Sequence, residues 1–312
     1  MLERTQMLIT VAICTLDHAE SLRRTLELLT AMRLPDDLDW EVVVVNNGCT
    51  DHTDEIIKAF ADRLPIRRKF EPQRGLSRAR NRAVDAAKGD YIVWTDDDVI
   101  VDPGWLAAYI EAFRRWPNAA VFGGKIVDRL AAPVPKWLAG NEAFKGFAPC
   151  DFGDEAVTLS IEGRLPFGPN FVVRATEQRA FRYNLELGHA PGQRRRGEEV
   201  DVVERILRSG GLGYWIPQAR VEHCATQEQQ TIRYFKSFFA TLGEYEAFSS
   251  GSLVAGAPRW FGVPRWAWRR LVEQWLRYRI HRLISPASVW LPRLMIYGII
   301  WGKIRYWRSE RR

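Results

Sequence analysis

The sequence is poor in the features that mark disulfide-linked, zinc-binding and membrane-spanning proteins. Its four cysteines lie far apart, with no Cys-x-x-Cys pair and no histidine at zinc-finger spacing. This pattern argues against a disulfide framework or a zinc knuckle and fits a reduced, cytosolic compartment. The longest apolar run near the C-terminus, residues 294–301, is too short to cross a bilayer, which takes about 20 residues. The N-terminal segment lacks a basic patch followed by an apolar core, so we expect no signal peptide.

Positive charge is concentrated at one end of the chain. The 312 residues carry a net charge of +7, but residues 256–312 alone carry +11, which leaves −4 for residues 1–255. Seven of the 13 tryptophans fall in the same C-terminal stretch. A basic, tryptophan-rich helical segment is typical of proteins that lie in the headgroup layer of an anionic membrane. The 46% of hydrophobic and 27% of charged residues indicate a folded protein.

Short apolar runs alternate with helical patterns over the first hundred residues. Buried strands are predicted at residues 8–14, 41–45 and 91–94. Helices are predicted at 21–32, between the first two strands, and at 56–64, after the second, because apolar residues recur there at helical spacing. This β-α-β-α-β order predicts a parallel, doubly wound α/β sheet with right-handed crossovers.

The pattern downstream is less regular. Between residues 129 and 165 the periodicity fades at prolines and glycines, which favours a functional loop. A strand is predicted at 168–174, a helix begins near Glu198, and a short strand at 214–216 leads to alternating apolar residues at 219–223. No internal repeat is present.

Three consecutive aspartates, Asp96, Asp97 and Asp98, follow the apolar run at 91–94. In open α/β sheets ligands bind at the carboxyl ends of strands, and clustered carboxylates repel one another unless a cation is bound. Alternate residues of an extended chain point the same way, so Asp96 and Asp98 are predicted to hold one divalent metal while Asp97 faces a nucleotide or a basic neighbour. The alternative is a helix cap in a solvated loop, since Pro103 suggests a helix start.

Two glutamates and a histidine are further candidates. Glu198 and Glu199 open a predicted helix, where acidic residues are favoured by the helix dipole, but a carboxylate there could also take the proton of an attacking hydroxyl. His223 alternates with Val221 and Ala219. It is either a third metal ligand or phosphate contact, or an ordinary histidine at a strand end.

Amide and guanidinium groups form a second set of candidates. Asn46 and Asn47 end the second predicted strand, where they either form a turn or hydrogen-bond the edge of a nucleobase. Residues 194–196 are three arginines, predicted as a mobile loop that closes over a ligand. Four more arginines are predicted to bind a diphosphate or to pair with the aspartates; the alternative is that they form a solvated helix face. They are Arg74, Arg78, Arg80 and Arg82.

Taken in order, these segments resemble the family 2 glycosyltransferases. The resemblance covers roughly residues 8–225, and the matching motifs are Val11–Thr15, Val43–Asp51, Gly75–Asn81, Thr95–Asp98, Gly168–Asn170, Gly197–Glu199 and Pro217–His223. It implies an α/β fold of the GT-A nucleotide-diphosphosugar transferase type, a Rossmann-like, mostly parallel sheet with helices on both faces. A C-terminal helical, membrane-associating region is expected to follow.

The resemblance also implies roles for single residues. Asp96 and Asp98 correspond to a DxD-type site that holds Mg or Mn, to which we add His223 as the third predicted metal ligand. Glu199 stands where the family usually has an aspartate as catalytic base, with Glu198 as the alternative, and a single displacement inverts the anomeric carbon. The predicted nucleotide-sugar-binding residues are Thr15, Asp17, Asn46, Asn47, Arg74, Arg80, Asp96, Asp97 and Asn170.

We expect three segments: a GT-A catalytic domain at 1–228, a packing helix and linker at 229–255, and a basic, amphipathic helical tail at 256–312. The expected partners are a nucleotide-diphosphate sugar donor, a saccharide or lipid-linked acceptor, and an anionic membrane surface contacted by the tail; no nucleic acid is expected. The implied location is cytoplasmic, peripherally associated with the inner face of the plasma membrane. The alternative for the tail is a basic helical subdomain packed on the core.

Two rival functions remain at this point. A nucleotidyltransferase would carry a glycine-rich, basic phosphate loop after the first strand, but that place holds the segment 15–18 with the sequence Thr-Leu-Asp-His. A basic membrane-binding or nucleic-acid-binding module without catalysis would explain the aromatic, basic tail. It would leave the acidic cluster unexplained.

Overall fold

The computed structural model describes residues 7–141, 150–193, 195–250 and 256–309. Arg194 and the two ends of the chain, with residues 142–149 and 251–255, lie outside this described part. The strands are β1 Leu8–Thr15, β2 Asp39–Asn46, β3 Ile66–Phe70, β4 Tyr91–Thr95, β5 Val99–Val101, β6 Ala119–Leu130, β7 Phe171–Arg174, β8 Leu212–Ala225, β9 Arg259–Trp260 and β10 Val263–Pro264. The helices are α1 Ala19–Thr30, α2 Thr53–Ala59, α3 Leu76–Ala86, α4 Trp105–Arg115, α5 Ala175–Ala180, α6 Glu198–Arg208, α7 Ile232–Ser249, α8 Arg265–Ile284 and α9 Ala287–Ser309.

Eight strands form one sheet in the order β3-β2-β1-β4-β7-β6-β8-β5. The first four are parallel neighbours, and three of them, β1, β2 and β4, are mostly apolar because both of their faces are buried. Strand β7 joins β4 in the antiparallel direction, as do the pairs β6-β7 and β5-β8. The predicted α/β fold class is confirmed, with antiparallel pairing added on one side of the parallel strands.

The register of the strands brings distant residues to one edge of the sheet. Thr15 at the end of β1 pairs with Asn46 at the end of β2, and Thr95 ends β4 beside Ile13. The carboxyl ends of these three parallel strands therefore coincide, which puts Asp96 near the first two predicted motifs. On the other side of Asp98, pairing of β5 with β8 sets Val99 opposite His223.

The chain divides into two compact units. The first comprises residues 1–129, 148–192 and 198–224, and the second comprises 130–147, 193–197 and 225–312. The first unit contains nearly all of the eight-stranded sheet and its core, whose largest fully buried side chains include Trp94, Trp105 and Trp215. The predicted division at 228 and 255 stays a prediction; the structure places α7, α8 and α9 together in the second unit.

Helices α7 and α9 of the second unit pack backbone to backbone. A Cβ added to Gly302 would overlap the carbonyl oxygen of Ala240, and one added to Gly243 would overlap that of Ile299. Ion pairs from Lys303 and Arg305 to the glutamates of α7 reinforce the contact. In the part of the chain that the structure describes, no helix combines the length and the apolar character needed to cross a membrane.

Candidate active site

A buried arginine connects the acidic groups at the carboxyl edge of the sheet. Arg80 lies on α3, its side chain is only 4% exposed, and its Nη2 atom is 3.7 Å from Asp96 Oδ1. Its Nη1 atom is 3.3 Å from Glu198 Oε1 and 3.9 Å from Glu199 Oε2. Residues that are separated by more than a hundred positions therefore face one guanidinium group, which offsets the repulsion between their carboxylates.

Aromatic rings and a glycine fix the position of this arginine. The guanidinium lies 5.5 Å from the ring centre of Tyr183 and 5.9 Å from those of Trp94 and Phe171. A Cβ added to Gly168 would stand 2.8 Å from Arg80 Nη2, so a larger residue there would displace the guanidinium. Strand β4, strand β7 and helix α3 thus all contribute to holding one positive charge in the core.

The two candidate bases differ in exposure. The Glu198 side chain is 4% exposed and is the nearer of the two to Arg80, whereas the Glu199 side chain is 15% exposed. Glu199 Oε1 accepts a hydrogen bond of 3.3 Å from the backbone N–H of Gly168. Both glutamates open α6. Of the two carboxylates, that of Glu199 is the one more accessible to a ligand.

Asp98 and His223 form the second half of the acidic cluster. Asp98 Oδ2 is 4.0 Å from His223 Nε2, and His223 Nδ1 is 3.0 Å from Asp128 Oδ1. Burial alone would lower the pKa of His223, but the hydrogen bond to Asp128 and the charges of Asp98 and Asp96 outweigh it, so the pKa is raised above its ordinary value. Asp128 orients the ring and leaves Nε2 facing Asp98.

The side chain of Asp96 remains 35% exposed between the arginine and the other aspartates. Desolvation of its carboxyl group raises its pKa to about 7; the charge of Arg80 opposes this rise, and the charges of Asp98 and Asp97 add to it. A carboxyl group with a raised pKa beside two further acids is a site where a bound cation would be strongly favourable.

Asp97 turns away from its two neighbours. Its Oδ1 atom lies 3.3 Å from His18 Nδ1, and its backbone oxygen accepts a hydrogen bond from the Thr25 hydroxyl at 3.0 Å. The hydrogen bond to Asp97 raises the pKa of His18 to about 9, although partial burial opposes it. Asp97 therefore meets a basic neighbour, the second of the two environments expected for it.

Asp17 and Asp51 organise the loop after β1. Asp17 Oδ1 accepts hydrogen bonds from the backbone N–H and the hydroxyl of Thr50, and Asp17 Oδ2 pairs with Arg74 at 3.3 Å. Asp51 accepts from the backbone N–H groups of Ala19 and Thr53. The pKa of Asp17 is lowered by the hydrogen bond from the Thr50 backbone first, and then by the Thr50 hydroxyl and the charge of Arg74.

A group of three potential ligands lies in this loop. Within the described ranges, Asp17, Cys49 and Asp51 are the set whose ligand atoms all lie within 4.8 Å of one another. Asp98 and His223 come together as a pair, while Asp96 lies on the Arg80 side of the cluster. The predicted ligands Asp96, Asp98 and His223 are therefore neighbours without forming one such compact set.

The side chains of Asn46 and Asn47 hydrogen-bond to segments that lie around the end of β2. Asn46 donates to Asp54 Oδ1 and accepts from the backbone of Cys49. Asn47 donates to the carbonyl oxygens of residues 71 and 73 and accepts from Gly75 N–H at 2.7 Å. Their side chains shape the loop that leads to α3, the first of the two alternatives expected for them.

Asn170 lies in the core, unlike the donor contact predicted for it. Its side chain is fully buried, its Oδ1 accepts from Trp105 Nε1 and the Tyr109 hydroxyl, and its Nδ2 donates to the carbonyl oxygens of Lys125 and Ala219. With no exposed atom and both ends of the amide bonded, it positions the start of β7. The correction follows from burial, which a Gly-Pro-Asn motif does not reveal.

Thr15 keeps an unpaired polar group at the same edge. Its side chain is buried, and among the described residues its hydroxyl has no hydrogen-bond partner. A buried polar group without a partner is costly unless a water or a ligand satisfies it. Of the predicted donor-binding residues, Thr15 thus has the free bonding capacity that a ligand would use.

The arginine run before α6 is anchored within the second unit. The Arg195 guanidinium lies over the rings of Phe248 and Tyr306, and that of Arg196 lies 4.7 Å from the Phe238 ring centre. Arg194 lies outside the described residues. These cation–π contacts hold the side chains of Arg195 and Arg196 against aromatic rings, and the loop that closes over a ligand stays a prediction.

Several residues of the site carry no local sequence signal. Asp128 meets His223 from 95 positions away, and Tyr183 meets Arg80 from 103, so only the strand pairing reveals them. Arg80 itself could have been recognised as buried. It precedes the core residues Ala83 and Val84 by three and four positions on α3, whereas Arg78 and Arg82 face solvent.

Comparison of the sequence with known proteins finds glycosyltransferases. The family model "Glycosyl transferase family 2" matches residues 10–174, which is more than half of the chain. The succinoglycan biosynthesis protein ExoM of Rhizobium meliloti is 25% identical over 228 residues, covering 72% of this chain and 69% of that protein. The glucosyl-dolichyl phosphate glucuronosyltransferase of Haloferax volcanii is 25% identical over 225 residues, covering 70% and 69%.

Solved structures show the same fold. A mannosyltransferase from Pyrobaculum calidifontis, in complex with GDP-Man and Mn2+, superposes with a TM-score of 0.62 at 15% identity and covers 97% of this chain and 88% of its own. TarS of S. aureus, residues 1–349 in complex with UDP-GlcNAc, has a TM-score of 0.56 at 14% identity and covers 96% and 92%.

The sheet topology and the likeness to these solved structures identify the fold as GT-A. The family model that matches residues 10–174 identifies the family within this fold. The chain belongs to glycosyltransferase family 2.

Proposed function

We propose that the protein is a divalent-cation-dependent, inverting glycosyltransferase. It would move a sugar from a nucleotide-diphosphate sugar to a hydroxyl group of a saccharide or lipid-linked acceptor. The observation that carries the proposal is the position of Arg80, whose guanidinium faces Asp96 on one side and Glu198 and Glu199 on the other. One buried charge thus joins the carboxylate that would serve the leaving group to the carboxylate that would serve the attacking group.

The donor set fits a divalent cation. Asp98 Oδ2 and His223 Nε2 are 4.0 Å apart, so a small side-chain movement would bring both to the distance of about 2.1 Å at which Mg holds its ligands. Asp128 holds His223 by its other nitrogen, the usual arrangement behind a metal-binding histidine. Asp98, His223 and Asp96 would hold Mg or Mn, and the bound ion would neutralise negative charge on the departing diphosphate.

The acceptor side of the reaction rests on Glu199. Its carboxylate would take the proton of the acceptor hydroxyl while the hydroxyl oxygen forms a bond to the anomeric carbon. The bond from that carbon to the diphosphate oxygen breaks, the electron pair leaves with the diphosphate, and a single displacement inverts the anomeric configuration. The hydrogen bond from Gly168 N–H orients the carboxylate, and the more deeply buried Glu198 would stay paired with Arg80.

The donor pocket would form at the carboxyl ends of β1, β2 and β4. The unpaired hydroxyl of Thr15 and the exposed Arg74 would contact the donor, while Asp17, Asn46, Asn47 and Asn170 would hold the surrounding loops. The two solved relatives described above bind GDP-Man and UDP-GlcNAc, so a nucleotide-diphosphate sugar is the donor class that they support.

The relatives also support the acceptor class. One acts in succinoglycan biosynthesis, and the other is named for transfer to a glucosyl-dolichyl phosphate. We therefore extend the proposal to an acceptor on a growing polysaccharide or a lipid carrier, reached at the inner face of the plasma membrane by peripheral association of the basic tail.

The test combines donor binding with transfer. Nucleotide-diphosphate sugars are screened by thermal shift with and without Mn or Mg, because a ligand that binds the native state raises the melting temperature. Transfer from the donor so identified is then measured with a membrane extract as the acceptor source. We expect Glu199→Gln to keep the thermal shift and to lose transfer by roughly 100-fold or more.

Glu198→Gln is the matched variant, one residue away on the same helix. We expect it to lower the melting temperature through its contact with Arg80 and to retain transfer in the molecules that stay folded. Full transfer by Glu199→Gln, or loss of transfer only in a folded Glu198→Gln protein, would contradict the assignment of the base.

A further inference from the structure

Helix α8 exposes apolar side chains on the face opposite its buried side. Ala267, Gln274 and Tyr278 are its buried residues and follow one another at helical spacing. Turned away from them, at positions i, i+4, i+8 and i+11, lie the exposed residues Val272, Leu276, Ile280 and Leu283. We call these four residues the outer stripe. Leu283 is 85% exposed, and Ile284 beside it is also open to solvent.

An apolar stripe of this length is unusual on an exposed helix and marks an interaction surface. The buried side of α8 already has its partner, since Tyr278 packs edge-on against Trp290 of α9. The outer stripe is thus additional to what the packing of the second unit requires.

Arginines surround the outer stripe. Helix α8 carries Arg265, Arg269, Arg270, Arg277, Arg279 and Arg282 against a single acidic residue, Glu273, which pairs with Arg277 at 2.8 Å. At its N-terminal end lies an open surface depression of about 580 Å³, which we call the cavity and which is lined by Arg265, Trp266, Arg269, Arg270 and Glu273 of this one helix. Three guanidinium groups around one opening are suited to phosphate oxygens.

A hairpin adds a second apolar point beside this cavity. Strands β9 and β10 are joined through Phe261, whose side chain is 82% exposed and whose φ of 49° places a bulky residue in the left-handed region. The hairpin is fixed to the start of α8, because Trp268 Nε1 donates to the backbone oxygen of Trp260 and Arg265 lies over the Trp260 ring. Positive φ at both Phe261 and Gly262 is what a two-residue hairpin turn requires, and this turn leaves the Phe261 ring open to solvent.

We propose that the outer stripe, the three arginines of the cavity and Phe261 form a surface that docks on an anionic phospholipid bilayer. The stripe enters the boundary between headgroups and acyl chains, and the arginines bind lipid phosphates. Charge complementarity selects this occupant over a second copy of the chain, since two copies would bring two strongly cationic helices together. Helix α9 takes no part in the surface, because its residues Trp290, Leu291 and Trp307 are buried against α7 and α8.

Vesicle sedimentation with the full chain tests the surface without any sugar donor. The vesicles consist of phosphatidylcholine alone or of phosphatidylcholine with phosphatidylglycerol, at physiological ionic strength. We expect binding to the anionic vesicles and little to the neutral ones. The double variant Leu276→Glu, Leu283→Glu should lower the vesicle association constant by roughly tenfold or more, with an unchanged melting temperature because both side chains are exposed.

Matched controls separate this surface from general hydrophobicity and charge. Leu212→Glu replaces an exposed leucine of β8 and should bind like the unaltered protein, and the double variant Arg114→Gln, Arg115→Gln should bind far better than the double variant Arg269→Gln, Arg270→Gln. Equal vesicle binding by the stripe variant, or a dimer in solution that this variant dissolves, would overturn the proposal. The result is independent of catalysis, since donor binding in the thermal-shift assay tests the transferase site alone.

Discussion

At the scale of single residues, Arg80 determines how the acidic groups can coexist. Three carboxylates, those of Asp96, Glu198 and Glu199, lie within 4 Å of its guanidinium, which is almost wholly removed from solvent. Removal of one partner from a buried charge cluster leaves the others uncompensated, and such losses are larger than those at exposed ion pairs.

We predict that Arg80→Met lowers the free energy of unfolding by about 3 kcal/mol at neutral pH. The loss should shrink as the pH falls, because protonation of the acids removes the uncompensated charges, and the pKa of Asp96 should rise above its present value of about 7. Urea unfolding at several pH values measures both effects. Arg78→Met, at an exposed position of the same helix, is the control and should change stability little.

The residue scale also shows where sequence reasoning works and where it fails. The Asp96 and Glu199 candidates come from runs of acids beside predicted element ends, and the structure brings both to Arg80. Asn170 stands in an equally suggestive motif but is buried with its amide fully bonded. A motif gives the residue type and its place in the chain, whereas burial depends on helix α4 and strand β8, which are remote in sequence.

At the scale of elements, the junction of β6, β7 and β8 depends on one glycine. A Cβ at Gly124 would overlap the carbonyl oxygen of Ala219 and the amide of Asn170, and the backbone N–H of Gly124 donates to Asn170 O. The three strands can therefore approach one another only if no side chain is present at this position.

We predict that Gly124→Ala destabilises the protein by roughly 3 kcal/mol, since backbone atoms cannot move aside as a flexible side chain can. Gly104→Ala is the comparison, because its added Cβ would meet only a carboxylate oxygen of Asp102 at 3.3 Å. Thermal unfolding of both variants gives the measurement. Equal melting temperatures for the two would show that the strands tolerate a wider spacing.

The loop between β1 and α1 meets the loop after β4 through an ionisable pair. His18 Nδ1 and Asp97 Oδ1 are 3.3 Å apart, and this contact raises the pKa of His18 from 6.5 to about 9. Because the folded-state pKa is the higher one, the pair stabilises the fold fully below pH about 6.5, and its contribution is lost as the pH rises through 9.

We predict a His18 titration midpoint near pH 9 when the protein is observed by NMR with a chelator present. In Asp97→Asn the midpoint should move towards 6.5, the ordinary value for histidine. The stability of the variant should also change less between pH 6.5 and 9 than that of the unaltered protein. An unchanged midpoint in Asp97→Asn would show that a different group perturbs His18.

The order of elements was more predictable than their ends. The strands β1, β2, β4 and β7 and the helices α1, α2, α6 and α7 follow from hydrophobic periodicity. Strand β3 has the sequence Ile-Arg-Arg-Lys-Phe and gives no apolar signal, because it lies at the edge of the sheet, where none of its residues is fully buried. Strand β8 runs on through Pro217, where the sequence suggested a break.

At the scale of the whole molecule, the segment before α6 belongs to the second unit although the glutamates that follow it belong to the first. Gly197 has a φ of 94°, and a Cβ added there would stand 2.6 Å from the Tyr245 ring on α7. Arg195 and Arg196 lie over rings of α7 and α9. Glu198 follows directly in the chain.

We predict that Gly197→Ala lowers kcat by roughly tenfold or more relative to Gly210→Ala. Both glycines have positive φ values of similar size, 94° and 93°, so their backbone strain is matched, but only Gly197 faces a ring. Transfer rates and melting temperatures of the two variants are compared. Equal kcat values would show that the position of the glutamates does not depend on the Tyr245 contact.

The same contact limits how the protein can be taken apart and recombined. A cut at residue 228 keeps every candidate site residue, but it removes Phe238, Tyr245, Phe248 and Tyr306, which hold residues 195–197. A chimera that exchanges the C-terminal helices with those of a relative must therefore bring the matching residues 193–197 with them. The part of the chain that must be exchanged as one piece is therefore discontinuous in sequence. A chimera with a single crossover point would separate residues 193–197 from the aromatic side chains that hold them.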